Sequence, residues 1–370
     1  MDHPTPALID TPMQLAGAFA RARDASRRDP TPNAATRIAS LNKLERLLRE
    51  HLSEWETAVA ADFGHRSPHE TRLEAFASLE ALKHSRRHLK RWMRPQRRPV
   101  GFNYLPGRAE IRVQPLGVVG IIVPWNYPIA LSFGPIIDAL AAGNRVLLKM
   151  SDYSPQTTAL FAQLASRHFA VEELCVVGGD LALAEAFSRL PFDHLLFTGS
   201  GAIGRRIMRA AADNLTPVTL ELGGKSPLLI APDYPIEHAA QRIVAGKCLN
   251  AGQTCVAPDY VLTPKGSEGA LIAALQARIA AIYPDLLNNP DYSSIINARQ
   301  YARLEGYVDD ARAKGAEIVE LCPGQTADRE NRRFPPLAIL NAHQEMQLMQ
   351  EEIFGPLLPV KSYDSHDEAM

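Results

Sequence analysis

The sequence predicts an α/β protein built on a doubly wound parallel sheet, with a second α/β domain and a β-hairpin element. Three observations predict it. Between residues 117 and 222, five short apolar runs alternate with helical stretches. Several of those runs are apolar at nearly every position, as strands are when helices cover both faces of a parallel sheet. The chain has 370 residues, 46% hydrophobic and 22% charged, which is material for a sizeable core and for about two domains at the usual ~100–200 residues each.

Taken in order, Met1-Asp2-His3-Pro4-Thr5-Pro6 has neither a basic start nor an apolar core, so it is not a secretory leader. Residues 12–94 read as helical. Leu41, Leu44, Leu48, Leu52, Trp55 and Val59 recur at three- and four-residue steps as one continuous apolar stripe. A further helix begins near Pro68 and ends in a basic stretch, His84 to Pro99. There Leu82, Leu89 and Trp92 form an apolar stripe opposite Arg87, Lys90, Arg91 and Arg94, so the basic residues read as a solvated face. The net charge of −1 gives no general attraction to nucleic acid or to an anionic membrane. Phe102-Asn103-Tyr104 and Ala109 to Gln114 flank the turn signal Pro106-Gly107 and predict a hairpin over 102–114.

From there strands and helices alternate. Strands are expected at Gly117–Val123, Arg145–Lys149, Cys175–Val177, His194–Thr198 and Val218–Leu222. Helices are expected at Ile129–Ala142, Pro155–His168, Ala182–Leu190 and Ala202–Ala212, the second opened by Ser154 as N-cap with Pro155 at the first helical position. Sheets of this kind bind ligands at the carboxyl ends of their strands. No run approaches the roughly 20 apolar residues of a spanning helix. Four cysteines without regular spacing fit a reducing cytoplasm.

Chemistry concentrates at Val218 to Tyr260. Glu221 lies near the end of a strand that breaks at Gly223-Gly224. Cys255 follows a helix expected from Ile236 to Asn250 and stopped by Gly252, on a short link before Tyr260-Val261-Leu262. The separation of 34 residues leaves room for a helix that returns both to one cleft. Cys175 sits in an apolar run and reads as core; Cys248 falls on a helix and Cys322 near a loop. Cys255, among small polar neighbours, is either another small hydrophobe or a nucleophile. Gly199-Ser200-Gly201-Ala202-Ile203-Gly204 fits G-x-G-x-x-G between a strand and a helix, the context of a dinucleotide loop. That fingerprint wants an acid ~20 residues on as ribose ligand. Glu221 satisfies it, yet could equally be a general base, and spacing does not decide.

Six stretches occur in order: Pro124-Trp125-Asn126-Tyr127-Pro128, Lys149-Met150-Ser151-Asp152, Phe197-Thr198-Gly199-Ser200, Leu220 to Pro227, Gly252-Gln253-Thr254-Cys255, and Glu351 to Pro356. Together they resemble the aldehyde dehydrogenase superfamily, most closely its coniferyl aldehyde/class-three branch, over essentially the whole chain. The resemblance implies a Rossmann-like NAD(P)-binding domain at 1–222, with the hairpin near 102–114 as oligomerisation element, and a catalytic domain at 223–370. It implies oxidation of an aldehyde, aromatic or long-chain, with NAD or NADP as cofactor and a homodimer in the intact family form. Cys255 is then the nucleophile, Asn126 the oxyanion donor and Glu221 the activator of water, a carboxylate ionised yet partly dehydrated. Trp125, Lys149, Asp152, Gly199, Ser200, Glu352 and Phe354 would hold the cofactor, and Tyr127 could line the aldehyde tunnel. Lys149 has a plainer reading as a solvated strand end, and Trp125 and Tyr127 as core aromatics.

Two departures qualify the resemblance. Asp152 stands where the family more usually has a glutamate, leaving NAD and NADP both open. The chain ends at Met370, roughly a fifth short of the family pattern, and Ser365-His366-Asp367-Glu368 reads as a capping box for a helix that does not follow. The expectation is a fragment or a poorly active chain with an exposed sheet edge. A non-catalytic paralogue that binds nucleotide or a partner subunit is the alternative function, and cofactor-free esterase action by the Cys–Glu pair a possible side activity.

Overall fold

The computed structural model describes residues 8–370, so the leader reading of Met1–Pro6 lies outside the described residues. The chain forms two compact units, one of residues up to Ala58 with Arg72–Leu222, the other of Val59–Thr71 with Gly223–Met370.

The first unit opens with α1 (Pro12–Arg28), α2 (Ala34–Arg49), α3 (Leu52–Phe63) and α4 (Pro68–Trp92), the last two running across the division. The predicted single stripe is therefore two helices. Leu41, Leu44 and Leu48 belong to α2, Trp55 and Val59 to α3, and all five are fully buried. Periodicity alone does not see the break at Glu50-His51, because the two helices keep their apolar steps in phase. Along α4, Leu82 and Leu89 are buried as expected, but Trp92 is 40% exposed. It ends a row of rings on the outside of the helix, with the His84 and His88 centroids 4.2 Å apart and Trp92 5.7 Å from His88.

The hairpin differs from expectation too. Its strands are β1 (Gln96–Arg98) and β2 (Ala109–Ile111), paired antiparallel, while Phe102–Tyr104 is a 3₁₀ turn. Gln96, Arg97 and Arg98 are exposed, so this strand carries no apolar alternation to read.

The central sheet holds β3 (Val118–Ile122), β4 (Arg145–Lys149), β5 (Leu174–Val177), β6 (His194–Gly199) and β7 (Val218–Leu222), all parallel, in the order β5-β4-β3-β6-β7. Its crossover helices are α5 (Ala130–Ala142), α6 (Pro155–His168), α7 (Leu181–Ser188) and α8 (Gly201–Ala212). All five expected strands and all four helices are present, with ends shifted by a residue or two. One face packs Val118, Ile122, Leu147, Val177 and Phe197 against apolar residues of α1, α7 and α8. On α5 and α6, Phe133 and Phe161 meet Trp55 edge-on at 5.9 and 5.2 Å. Ser154 does precede α6, but its hydroxyl donates to Ser151 O at 3.2 Å instead of capping the helix.

The second unit is a five-stranded sheet of β8 (Pro227–Leu229), β9 (Tyr260–Pro264), β10 (Glu317–Glu320), β11 (Leu337–Leu340) and β12 (Leu357–Tyr363). The order is β10-β11-β12-β9-β8, parallel except for the β10 edge. The helices α9 (Ile236–Cys248), α10 (Glu268–Ile282) and α11 (Ala298–Ala313) contribute Val244, Leu275 and Leu304 to its core, beside Val261 and Val360. The capping-box signal near the end does start a helix, the single turn α12 (His366–Ala369), where Ser365 Oγ accepts from Glu368 N at 3.2 Å.

Candidate active site

The strand order of the first sheet reverses between β3 and β6, since β4 and β5 are added on one side of β3 and β6 and β7 on the other. A crevice at such a switch point, beyond the carboxyl ends of the strands, is where open α/β sheets take ligands. Two of the motif segments lie there: Pro124–Pro128 follows β3, and Gly199-Ser200 joins β6 to α8. Pairing aligns Lys149 with Ile122, Ile122 with Phe197, and Thr198 with Glu221, so Lys149 and Glu221 also sit at the carboxyl edge.

Each of these residues has a local reason for its place. Asn126 is 2% exposed, beside Pro128 and Ile129, which are buried. The loop is anchored where it becomes α5: Glu74 Oε2 accepts the Ile129 and Ala130 N–H groups at 3.0 and 3.1 Å. Trp125 and Tyr127 are half-buried, and the Trp125 ring lies 6.4 Å from that of Tyr153. Lys149 is not a solvated strand end. Its ammonium is buried and donates to Met150 O at 2.7 Å and Gly179 O at 3.3 Å, and desolvation pulls its pKa down to about 8 against the pull of Asp152 and Asp180. Asp152 itself is exposed. Ser200 is the N-cap of α8, its hydroxyl accepting from Ile203 N at 3.5 Å. A Cβ on Gly204 would come 2.8 Å from Leu222 Cδ2, so this glycine lets α8 lie close on β7. Glu221 is exposed, and lacks the partial dehydration expected of it.

In the second unit the thiol is carried by an unusual turn. The helix α9 ends at Cys248, short of the expected Asn250, and Asn250, Ala251 and Gly252 then all take left-handed conformations with φ of 49°, 50° and 73°. For the two residues with side chains this costs about 1–2 kcal/mol each, so something must hold the turn. Gln253 is fully buried, its amide donating to Asn250 O at 2.9 Å and Ser294 O at 3.0 Å while its Oε1 accepts from Ile296 N at 3.0 Å. Asn250 Nδ2 donates to Gln253 O at 3.2 Å. The Asn250 N–H donates to Glu70 at 2.8 Å, at the start of α4. Cys255 follows, exposed, with Val256 77% exposed beside it.

Of the other three cysteines, two belong to the core. Cys175 and Cys248 are buried and Cys322 is half-buried; burial pushes the thiols of Cys175 and Cys322 up to about 12 and about 11, and that of Cys248 higher still. None of the four is in a disulfide.

Glu352 and Phe354 occupy the same unit. Burial raises the Glu352 carboxyl although the Gly224 N–H donates to it. Phe354 takes φ 48°, a sparsely populated conformation, between Ile353 and Gly355, both buried. Lys225 and Asp259 hold this segment: Lys225 pairs with Asp259 and donates to Leu348 O and Glu351 O, each at 2.8 Å, while Asp259 Oδ1 accepts from Ile353 N at 2.9 Å. Sequence reasoning gave no role to Glu70, Glu74, Lys225, Gln253 or Asp259. Lys225 and Gln253 were visible inside motifs, but the backbone N–H groups that the three acids accept lie 55 to 180 residues away, beyond any spacing rule.

A doubly wound parallel sheet with a glycine loop at its switch point, and a second α/β unit carrying an exposed thiol, define the class: an α/β enzyme of two units. The chain belongs to the aldehyde dehydrogenase family, whose model matches residues 9–370. It is 49% identical over 358 residues to a probable coniferyl aldehyde dehydrogenase of Pseudomonas aeruginosa, covering 96% of this chain and 74% of that one. Among solved structures it resembles the substrate-bound state of Staphylococcus aureus AldH, with TM-score 0.90 at 34% identity over 96% of this chain and 76% of that one. It also resembles a Mycobacterium tuberculosis aldehyde dehydrogenase complexed with NAD+, with TM-score 0.87 at 29% identity over 98% and 75%. Aldehyde oxidation is the reaction of the family. Among the described residues no helix is long and apolar enough to cross a membrane.

Proposed function

We propose that this chain oxidises an aldehyde to the carboxylic acid through a covalent intermediate on Cys255, with NAD or NADP as hydride acceptor and an aromatic aldehyde as substrate. The observation that carries the reading is the contrast among the cysteines: the Cys255 thiol is exposed on a held turn, Cys175 and Cys248 are buried and Cys322 is half-buried, and burial disfavours the thiolate of all three. The 49% identity to a probable coniferyl aldehyde dehydrogenase supports the substrate class.

The residues present fit a dinucleotide. The α8 helix has 12 residues, and the N–H groups of its first turn, opened by Ser200, suit a pyrophosphate. Gly199 and Ser200 would border it, Lys149 and Asp152 the adenine-side ribose, Trp125 the adjoining backbone, and Glu352 and Phe354 the nicotinamide ribose and ring. When bound, the nicotinamide accepts the hydride.

The chain's own groups do the rest. The Cys255 sulfur bonds the aldehyde carbon as the carbonyl π pair moves to oxygen, and the thiol proton leaves to solvent. Asn126 donates its amide N–H to the oxyanion; removing such a donor costs about 10²–10³ in rate. After hydride loss a thioester remains on Cys255. Glu221 takes a proton from water, the water oxygen bonds the acyl carbon, and the C–S bond breaks to return the thiolate and release the acid.

The test is to mix the protein with NAD or NADP and coniferyl aldehyde or benzaldehyde and follow reduced nicotinamide. Glu221→Gln should give a single-turnover burst and a covalent acyl mass on Cys255. Oxidation that survives Cys255→Ala rejects the mechanism, and nucleotide binding without turnover in the wild type favours a non-catalytic paralogue. A cytoplasmic homodimer belongs to the same proposal. Phe102, Tyr104 and Val113, exposed by 87%, 76% and 62%, support an association surface there, and sedimentation velocity tests it.

A further inference from the structure

We infer that Glu70 is a positioning residue for the Cys255 turn, setting the direction of the thiol without touching the reacting atoms. The inference rests on Cys255 being the nucleophile. Glu70 stands in the first turn of α4, and its side chain is buried. One carboxylate oxygen accepts the Asn250 N–H at 2.8 Å; the other accepts Ser293 Oγ at 2.8 Å and lies 3.5 Å from Arg66 Nε. Buried carboxylates are kept where their hydrogen bonds and a counter-charge compensate the lost water. Here the donor, Asn250, is the first of three successive left-handed residues, and the turn they make ends three residues before the thiol.

The adjoining contacts share the task. Ser293, which donates to Glu70, is followed by Ser294 and Ile296, whose backbone groups hold the Gln253 amide. Segment 293–296 therefore braces both Glu70, which takes the Asn250 N–H, and Gln253, whose amide holds the Asn250 carbonyl. Burial raises the Glu70 carboxyl against the opposing pull of Arg66 and of its two donors, the Asn250 N–H and the Ser293 hydroxyl. A thiol that must meet a carbon along one direction is sensitive to such a support, whereas a small electrophile in solution approaches from any side.

The test is Glu70→Ala, with retained fold checked by circular dichroism. The expected result is a kcat for aldehyde oxidation lower by about 100-fold, with KM changed by less than about threefold. Alkylation of Cys255 by iodoacetamide should stay within about threefold of wild type. A folded Glu70→Ala with wild-type kcat overturns the inference, and so does alkylation that falls as far as kcat, because that marks a change in thiol chemistry rather than direction. If Glu70→Ala does not fold, Ser293→Ala decides. It removes one donor and leaves the Arg66 pair, so a several-fold loss in kcat supports the inference and unchanged kcat overturns it. Cys255→Ala separates the two readings: if it remains active, the nucleophile assignment fails, and if it is dead while Glu70→Ala is fully active, only the positioning role fails.

Discussion

Replacing Gly252 by alanine imposes two penalties at once, and their size follows from the turn. At φ 73° a residue with a Cβ pays about 1–2 kcal/mol for the left-handed region. The added carbon would also press on the Gly355 carbonyl, coming within 2.7 Å of its carbon, and 3.1 Å from Lys247 O. Both are backbone groups that cannot swing aside, so overpacking adds roughly 1–3 kcal/mol. The sum, roughly 2–5 kcal/mol, is a large part of the ~5–15 kcal/mol that holds a domain together. Gly306→Ala is the control. It lies inside α11 with nothing within 4 Å of the added carbon, so the same chemical change should stabilise by about 0.5–1 kcal/mol. Urea unfolding followed by hydrogen exchange at α9 and β12 amides reads the second unit, which contains none of the three tryptophans. A Gly252→Ala protein as stable as Gly306→Ala would refute the reasoning.

Three further outcomes are expected. Trp55→Ala removes a fully buried ring that meets Phe133 and Phe161, and should cost ~3–5 kcal/mol in urea unfolding; a loss below about 1 kcal/mol would contradict that packing. Native alkylation read by mass spectrometry should modify Cys255 first, then Cys322, with Cys175 and Cys248 protected until unfolding; early labelling of Cys175 would show the core is not closed as described. Lys247 is buried, and desolvation pulls its ammonium down to about 8. Below that pH the folded chain bears the whole cost of the buried charge. As pH rises through about 8 the folded lysine releases its proton while the unfolded one keeps its own to about 10.4, so its cost is relieved across that window. Lys247→Met should accordingly be more stable than wild type at neutral pH, with the advantage shrinking toward about pH 10. A difference in urea midpoint that does not vary with pH would count against it.

The first unit was legible wherever burial writes a pattern. Arg145–Lys149, Pro155–His168 and Val218–Leu222 have the ends that their apolar runs and prolines indicate, and Gly199–Gly204 falls between strand and helix as its spacing requires. The pattern failed where neither face is buried, as at Gln96–Arg98, and where two helices stay in phase across Glu50-His51. In the proposed site, the sequence marked Cys255, Glu221, Asn126 and Lys149 through local motifs. It could not show that Lys149 is buried against two carbonyls, that three left-handed residues precede the thiol, or that Glu70 and Asp259 hold backbone from distant segments. The sequence by itself determined the elements, the order of the sheet-forming runs and the residue types that the proposed chemistry uses, because these follow from periodicity and from side chains close in the chain. Tertiary structure alone decided which charges lose their water and which backbone groups find a partner. Those depend on atoms far apart in sequence, and a carboxylate 180 residues from the N–H it receives leaves no trace in local spacing.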